Sequence, residues 1–447
     1  MSYQKPTINK VDFAMMSKYG SPLKSQKIRS EIAGVDVREL VQNYGSPLFV
    51  FSQQEIEEKY HRLHEAFSSR YPDVVFGWSY KTNYLNAICN LYHKLGSIAE
   101  VVSEFEYQKA RALGIEGKDI IFNGPYKPKE ALKVAVEEGA KIHIDHLFEI
   151  NDLEEIAREL GVKIPVAIRV NMDTGIYPQW SRFGFNYESG EAIDAIERIH
   201  SGGLLELTGL HSHIGTFMLD ASAYGKETAK LMDLKHQAEE RFGYRIEYID
   251  IGGGFASKNR LKGVYQSPDV IVPTPDDYAQ QITEAIYTHN KSDTLPRLYL
   301  ETGRHLIDEA GYLLTTVQAY KRFPDGMKGY ILDAGVNLLY TATWYNFNFE
   351  LDRRYEGLNE PSMLNGPLCM NIDILSENIM LPPLDRGTVI TIGPVGAYNY
   401  TQSMQFIRYR PAAVLIDKER NVHLIKEPDD LETINYKERI PDYLKRS

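Results

Sequence analysis

A lysine, a glycine triplet, a carboxylate and a pair of histidines are the residues of this chain best suited to chemistry, and each stands at the end of a short apolar run. Lys81 lies in Trp78-Ser79-Tyr80-Lys81-Thr82-Asn83. A lysine at the end of an apolar strand is partly desolvated, which lowers its pKa and makes it a better Schiff-base nucleophile; a solvated loop lysine is the plainer reading. Gly252-Gly253-Gly254 strips side chains from a strand-to-helix turn, so backbone N–H groups can approach a phosphate, or the triplet is only a tight turn. Glu301 ends the run Leu298-Tyr299-Leu300, and a buried carboxylate needs a cationic or donor partner. Arg304 is the structural candidate and a protonated pyridine nitrogen the functional one. Arg304 could instead give a charge-assisted contact to a phosphate. His213, in His211-Ser212-His213-Ile214-Gly215-Thr216, offers a flat imidazole to stack on a planar cofactor, or a hydrogen-bonded structural ring. His211, His213 and Glu301 could ligate a metal in a barrel hydrolase, but no further ligand stands at a telling spacing, and no metal is expected. Downstream, Cys369 and Asp373 occupy Gly366-Pro367-Leu368-Cys369-Met370-Asn371-Ile372-Asp373, whose composition suits a surface loop. Tyr398, in Gly396-Ala397-Tyr398, places a phenol at a turn, or packs an edge strand.

The elements that must position these residues alternate. Strands are predicted at Asp73–Ser79, Ser97–Val102, Asp119–Phe122, Lys141–Ile144, Lys163–Val170, Leu207–His211, Ile246–Ile251 and Arg297–Glu301. Amphipathic helical patterns such as Lys129–Glu138 and Ile150–Leu160 lie between several of them. Strand–helix alternation implies a parallel sheet, and this number of units suggests an α/β fold of the (β/α)8 TIM-barrel type, with an open doubly wound sheet as the competitor. In such a barrel the working residues sit at the C-terminal strand ends. Lys81, Ser103, Glu106, Asn123, Asp145, His146, Asn171, His211, His213, the glycine triplet, Glu301, Gly303 and Arg304 all fall there. After Arg304 the rhythm changes to strands at Tyr312–Tyr320, Lys328–Leu332, Thr388–Thr391 and Ala412–Ile416. The expected organisation is an irregular N-terminal arm over residues 1–52 whose Leu48–Phe51 strand joins the later sheet, a barrel over 53–305, and a C-terminal β-rich domain over 306–447.

Composition narrows the classes. The 447 residues carry 50 Lys and Arg against 61 Asp and Glu, a formal charge of −11, which argues against nucleic acid or an anionic membrane as main partner. At 43% hydrophobic and 25% charged the chain has an ordinary globular mix. No apolar run approaches the roughly 20 residues of a membrane span, and Met1 to Lys10 carries no secretory pattern. Two cysteines, Cys89 and Cys369, give no disulfide framework, so a cytoplasmic location is the simplest expectation.

Taken in order, the motifs resemble those of the fold-type III pyridoxal-phosphate enzymes, the diaminopimelate, ornithine and arginine decarboxylases. The resemblance runs from about Ser46 to Ile416. It implies pyridoxal 5'-phosphate as cofactor, Lys81 as its Schiff-base lysine, and His213 stacked on its ring. It implies Gly252, Gly253 and Gly254 as the phosphate cradle, and Thr216 where a Ser usually follows His-x-Gly. Glu301-Thr302-Gly303-Arg304 resembles the family's Glu-Pro-Gly-Arg, and Ser181-Arg182-Phe183-Gly184 its Ser-Lys-Phe-Gly. Tyr398 matches a tyrosine near the phosphate, and Cys369 the cysteine contributed across a homodimer interface. The implied reaction is loss of CO2 from an amino acid, the cofactor acting as electron sink. Glu301 would keep the ring nitrogen protonated, and Cys369 of the second subunit would reprotonate Cα. A carboxylate at position 301 favours decarboxylase over the racemases of the same fold type, which place an arginine there.

The substrate positions depart from the pattern. Diaminopimelate decarboxylases usually carry Cys-Glu-Ser-Gly-Asp, whose Glu binds the distal amino group; here Met370 follows Cys369. They also carry an arginine after Asp-Gly-Gly; here Asp333-Ala334-Gly335 leads to Thr341, while the later tyrosine is kept as Tyr345. Arg304, Thr341, Tyr345, Met370 and Asp373 are thus the expected substrate contacts. Losing a charged pair costs binding and discrimination, so a non-standard or modified amino acid is expected. Meso-diaminopimelate is the alternative substrate. A catalytically silent homologue that regulates a decarboxylase is the non-enzyme alternative, disfavoured because Lys81 and Cys369 are both present.

Overall fold

The computed structural model describes residues 25–445. They form two compact units. One comprises Glu55–Ser257 and Ile271–Asp308; the other comprises the described residues up to Gln54, Lys258–Val270 and the chain from Glu309.

The first unit is a closed barrel of parallel strands. Its staves are β1 (Val74–Ser79), β2 (Ile98–Val101), β3 (Ile120–Phe122), β4 (Lys141–Ile144), β5 (Ile164–Asn171), β6 (Leu205–Ser212), β7 (Tyr248–Asp250) and β8 (Arg297–Thr302). Each pairs in parallel with the next, and β8 closes on β1. The strands are short and almost wholly buried, as expected when one face lines the barrel and the other packs on helices. The helices bury one stripe each. In Lys129–Glu137 the inward residues are Ala131, Leu132 and Ala135. On its outer side Lys129 and Lys133 pair with Glu155 and Glu159 of the next helix, Leu147–Leu160. Exposed pairs of this kind add little, so the apolar stripe carries the packing. The last helix before β8, Pro275–His289, begins with a Thr274–Asp277 capping box and proline in its first turn, a start signal legible in the sequence.

The second unit is β-rich. Its long central strand Gly311–Arg322 pairs antiparallel with Lys328–Leu332, with Val389–Gly393 and with Leu48–Ser52. Leu48–Ser52 also runs parallel to Ala412–Ile416, so the early strand does join the late sheet. Val50, Leu314, Val389 and Val414 form its core with Val37 and Leu40 of a helix at Val37–Tyr44. That helix corrects the expectation of an irregular arm: Asp36 caps it, accepting from the N–H groups of Arg38 and Glu39. The part of the arm before residue 25 lies outside the described residues. Strands at Asn348–Leu351, Glu360–Asn365, Ile374–Leu381 and Val422–Lys426 were not expected; their mixed polar burial and Pro361 hide the period-two pattern. Lys258–Val270, inside the stretch assigned to the barrel, belongs to the β-rich unit. It pairs there with the segment around Tyr345. Among the described residues no helix is long and apolar enough to cross a membrane.

Candidate active site

The barrel interior is layered. Ile121, Ala167, Tyr248 and Tyr299 plug it with an apolar cluster. Beyond that plug, toward the C-terminal strand ends, the buried side chains are polar: Glu100, His143, Arg169, His211, Asp250 and Glu301. Parallel pairing sets His211 level with Arg169 on one side and Asp250 on the other. Tyr248 links the two layers through its hydroxyl, 3.3 Å from His143 Nε2. Three carboxylates and one guanidinium in such a place must be held by each other and by neutral donors.

Lys81 follows β1 and reaches back to the buried Glu100, with Nζ 3.0 and 3.2 Å from its two oxygens. Ser79 donates its hydroxyl to Glu100 as well. The lysine is therefore not a bare desolvated amine, as the apolar run suggested; it is about a third exposed and ion-paired. Burial pushes the Glu100 carboxyl up, and the Lys81 charge opposes this.

Glu301 is buried and accepts from Asn123 Nδ2 at 2.7 Å. His211 Nε2 lies 3.3 Å from the same oxygen. The partner that sequence suggested, Arg304, is instead buried 3.8 Å from Asp308, with its guanidinium over the Phe217 ring. His213 Nδ1 accepts from Gly253 N at 3.0 Å, which leaves the proton on Nε2 and the imidazole neutral; burial and the charges of Arg169 and Lys81 hold its pKa well below the usual value. The metal set proposed from His211, His213 and Glu301 is thereby corrected. His213 turns to the glycines, and the residues that could gather round a cation are His143, His211, Asp250 and Glu301.

The glycine turn has no room for side chains. A Cβ on Gly253 would stand 2.2 Å from the Glu301 carbonyl, and one on Gly254, at φ +94°, 2.2 Å from that of Gly215. Tyr224 fixes the turn from outside through its hydroxyl on the Gly253 carbonyl at 2.8 Å. Gly303 abuts Thr82, where a Cβ would meet the hydroxyl at 2.4 Å. Thr216 is exposed on the loop after β6.

Other strand-end residues have structural work. Ser103 caps helix Glu104–Ala112, and Glu106 bonds back to Val102 N. Asn171 fastens the following loop by donating to the carbonyls of Phe183 and Gly184. Asp145 lies 3.8 Å from Arg169, whose guanidinium covers Phe183. Glu100, His143, Arg169 and Asp250 lie inside the predicted strands, whereas the chemistry legible in the sequence follows each strand. Alternation within the strand, polar residues at the last inward position, was the available signal.

In the β-rich unit, Cys369, Met370, Asn371 and Ile372 form an exposed loop tip. Asp373 closes its base: one carboxylate oxygen accepts from Val336 N at 2.8 Å, the other from Leu368 N at 2.7 Å. Buried and bonded to backbone donors, Asp373 fastens the loop that carries Cys369. Thr341 is likewise buried, its hydroxyl on Asn399 Oδ1 at 2.9 Å. Tyr345 is buried, and Tyr398 is half-buried in a left-handed conformation at φ +64°.

Within the barrel, a lysine, a flat neutral imidazole, a side-chain-free backbone turn and a buried carboxylate converge on one mouth. This donor set fits an aldehyde-bearing pyridine phosphate, and it places the chain among barrel enzymes built around an organic phosphate cofactor. The family model described as "Pyridoxal-dependent decarboxylase, pyridoxal binding domain" matches residues 53–308. The diaminopimelate decarboxylase of Methanocaldococcus jannaschii is 31% identical over 92% of this chain and 95% of its own; that of Aquifex aeolicus is 31% identical over 90% and 94%. The crystal structure of the M. jannaschii enzyme in complex with L-lysine superposes with a TM-score of 0.85 at 30% identity, covering 93% of this chain and 97% of that one. The chain belongs to the pyridoxal-dependent decarboxylase family and is an amino-acid decarboxylase that uses pyridoxal 5'-phosphate.

Proposed function

We propose that the chain removes CO2 from an amino acid whose distal end lacks the paired charges of diaminopimelate, in a homodimer that completes each site with Cys369 of the other subunit. The observation that carries the substrate reading is the loop after Cys369. Met370 offers a thioether where the resemblance calls for a carboxylate, and Thr341, with its hydroxyl spent on Asn399, stands where it calls for an arginine. Neither can pair with a distal ammonium or carboxylate.

The bound cofactor supplies the electron sink. The chain's own residues do the rest. Lys81 is the amine that anchors the cofactor. His213 presents a neutral ring face, its orientation fixed by Gly253. The Gly252–Gly254 turn and Arg304 would receive the phosphate, with Thr216 on the neighbouring loop. Glu301, at the end of β8, would hold a proton at the cofactor's ring nitrogen. Cys369 delivers a proton from Sγ to Cα of the substrate.

Exposed apolar residues support the dimer. Phe105, Tyr126 and Phe148 stand just after β2, β3 and β4 at the open end of the barrel, the last of them 77% exposed. Large apolar side chains left exposed at successive strand ends are what an interaction surface at the mouth would use. Light scattering on active protein tests it, and a fully active monomer would refute it.

A second reading is supported by the relatives, several of which are named diaminopimelate decarboxylase: the substrate is meso-diaminopimelate. The two readings separate in a screen for CO2 release with added pyridoxal phosphate. Turnover of meso-diaminopimelate at ordinary enzyme efficiency selects the second; preference for an amino acid without a charged distal end selects the first.

A further inference from the structure

We infer that Trp180 is a positioning residue for the cofactor: from the loop after β5 its indole packs against the His213 ring and, together with the glycine turn, sets the plane that His213 presents. The inference rests on the assignment of His213 to the face of the cofactor ring made above.

His213 has one restraint in the glycine turn, where its Nδ1 accepts from Gly253 N at 3.0 Å. The torsion that turns an imidazole on its stem is broad, so a hydrogen bond to one nitrogen holds the ring loosely. Trp180 supplies a second contact. Its ring centroid lies 5.5 Å from that of His213, with the planes at 74°, the edge-to-face arrangement that aromatic pairs prefer. The indole also reaches Gly215, where a Cβ would stand 4.0 Å from Trp180 Cε2. Gly215 in turn abuts the cradle, because a Cβ on Gly254 would meet its carbonyl at 2.2 Å. Residues 213–215 are therefore held by both the glycine turn and the indole.

Trp180 is itself fixed from behind, through the Ser181-Arg182-Phe183-Gly184 motif. Phe183 N donates to the Trp180 carbonyl at 3.3 Å and closes a turn. The Phe183 ring lies 6.1 Å from the indole. Two guanidinium groups lie over that ring, from the buried Arg169 at 4.5 Å and from Arg182 at 5.2 Å, and such contacts are strongest where the cation is desolvated. Asn171, the last residue of β5, holds the carbonyls of Phe183 and Gly184 with Nδ2, and its Oδ1 accepts from the amides of Gln179 and Asn186 at 2.7 and 2.9 Å. Gly184 permits the close approach: at φ +68° a Cβ there would stand 2.4 Å from the Arg169 carbonyl. A rigid strand end thus carries the indole, by way of Phe183, to the histidine. Trp180 remains 36% exposed, so truncating it removes a ring contact and leaves no sealed cavity.

Wild type is tested first. With tryptophan and histidine labelled in the holoenzyme, dipolar cross-peaks should join the Trp180 indole to the His213 ring; their absence overturns the inference without any variant. Trp180→Ala should weaken pyridoxal phosphate affinity about three- to tenfold, the scale of one aromatic pair. It should also change the visible circular dichroism per bound cofactor, a signal that an achiral chromophore owes to the groups fixed around it. Trp180→Phe, which keeps a ring at the contact, should restore most of both. A tryptophan that only stabilises its loop would lower the melting temperature and leave the dichroism per bound cofactor as in wild type, and that result overturns the inference. Equal losses in Trp180→Phe and Trp180→Ala also overturn it, because the ring contact is then not what was lost. His213→Leu, measured alongside, separates the failures. If neither His213→Leu nor Trp180→Ala alters the dichroism, the assignment of His213 is wrong; if His213→Leu alone alters it, only the role of Trp180 falls.

Discussion

Lys81 and Glu100 form an ion pair at 3.0 Å in which the carboxylate is fully buried and the ammonium is about a third exposed. The asymmetry decides what each partner needs. Lys81 can be solvated without Glu100. Glu100, hydrogen-bonded by Ser79, cannot be solvated without Lys81.

Lys81→Ala should therefore destabilise the cofactor-free protein in a pH-dependent way. The folded pKa of Glu100 lies above 4.5 even with Lys81 present, and rises further without it. Below the wild-type folded pKa the carboxyl is protonated in both folded proteins, and the variant should match wild type. Above it, wild-type Glu100 ionises against Lys81 while the variant's carboxyl still resists, so the deficit grows to about 1–3 kcal/mol at pH 8. Guanidinium denaturation below that pKa and at pH 8 checks it. A deficit independent of pH would mean that Glu100 is not the cause.

Glu106 gives a second titration. Burial, with a smaller push from the charge of Glu100, raises its carboxyl to about 7, against the Val102 N–H bond. A carboxyl raised in the folded state adds stability that is full below its unfolded pKa, near 4.5, and is lost as pH rises through 7. Glu106→Gln keeps the acceptor for Val102 and cannot titrate. Relative to wild type it should gain stability between pH 4.5 and 7, by about 1–3 kcal/mol at the top of that window. Parallel urea curves at pH 5 and pH 8 for the two proteins would sink the idea if their difference stayed constant.

What the sequence disclosed and what it hid follow from how each signal arises. The barrel strands were legible because all of them are apolar runs bounded by turns, and the strand-end chemistry of Lys81, His213, the glycines and Glu301 because each follows such a run. Glu100, His143 and Asp250 sit inside those runs, where one polar residue reads as noise until the barrel closes and shows that they share a layer. The partners of Arg304 and Asp373 are hidden in the sequence for a different reason. Their partners, Asp308 and the backbone of Val336 and Leu368, are set by local loop conformation, and composition carries no trace of it. The helix at Val37–Tyr44 was missed although its cap, Asp36, was in plain view.

Gly254→Ala tests the cradle. Its Cβ would lie 2.2 Å from a backbone carbonyl at a φ of +94°, where neither group can give way cheaply. A loss of at least about 2 kcal/mol is expected from strain and overlap together, with loss of bound pyridoxal phosphate. Thermal melts and cofactor absorbance report the two separately. If the variant folds and retains the cofactor with wild-type affinity, the turn is not the phosphate site.

Asp373 predicts a coupling between loop order and turnover. Asp373→Ala leaves the amides of Val336 and Leu368 without acceptors, at roughly 1–3 kcal/mol for each that stays buried. The tip bearing Cys369 should loosen, seen as faster amide exchange at residues 366–373, and kcat should fall while cofactor affinity holds. Unchanged exchange across that segment would show that the tip is held by something else.

Cys369 and Lys81 together test the shared site. Cys369→Ala should bind pyridoxal phosphate as wild type does and lose about a hundredfold in turnover, the usual scale of one positioned proton donor. Lys81→Ala should lose turnover through the cofactor. If each site draws its lysine from one subunit and its cysteine from the other, the two dead variants mixed in equal amounts should recover about a quarter of wild-type activity, since half the dimers are mixed and each of those has one intact site. A lysine and a cysteine drawn from the same subunit would leave no intact site in a mixed dimer, so a mixture that recovers nothing beyond the residual activity of the two variants refutes the shared site. Dilution is a second check: wild-type activity that persists below the dimer's dissociation range refutes the shared site, and activity lost in step with the dimer supports it.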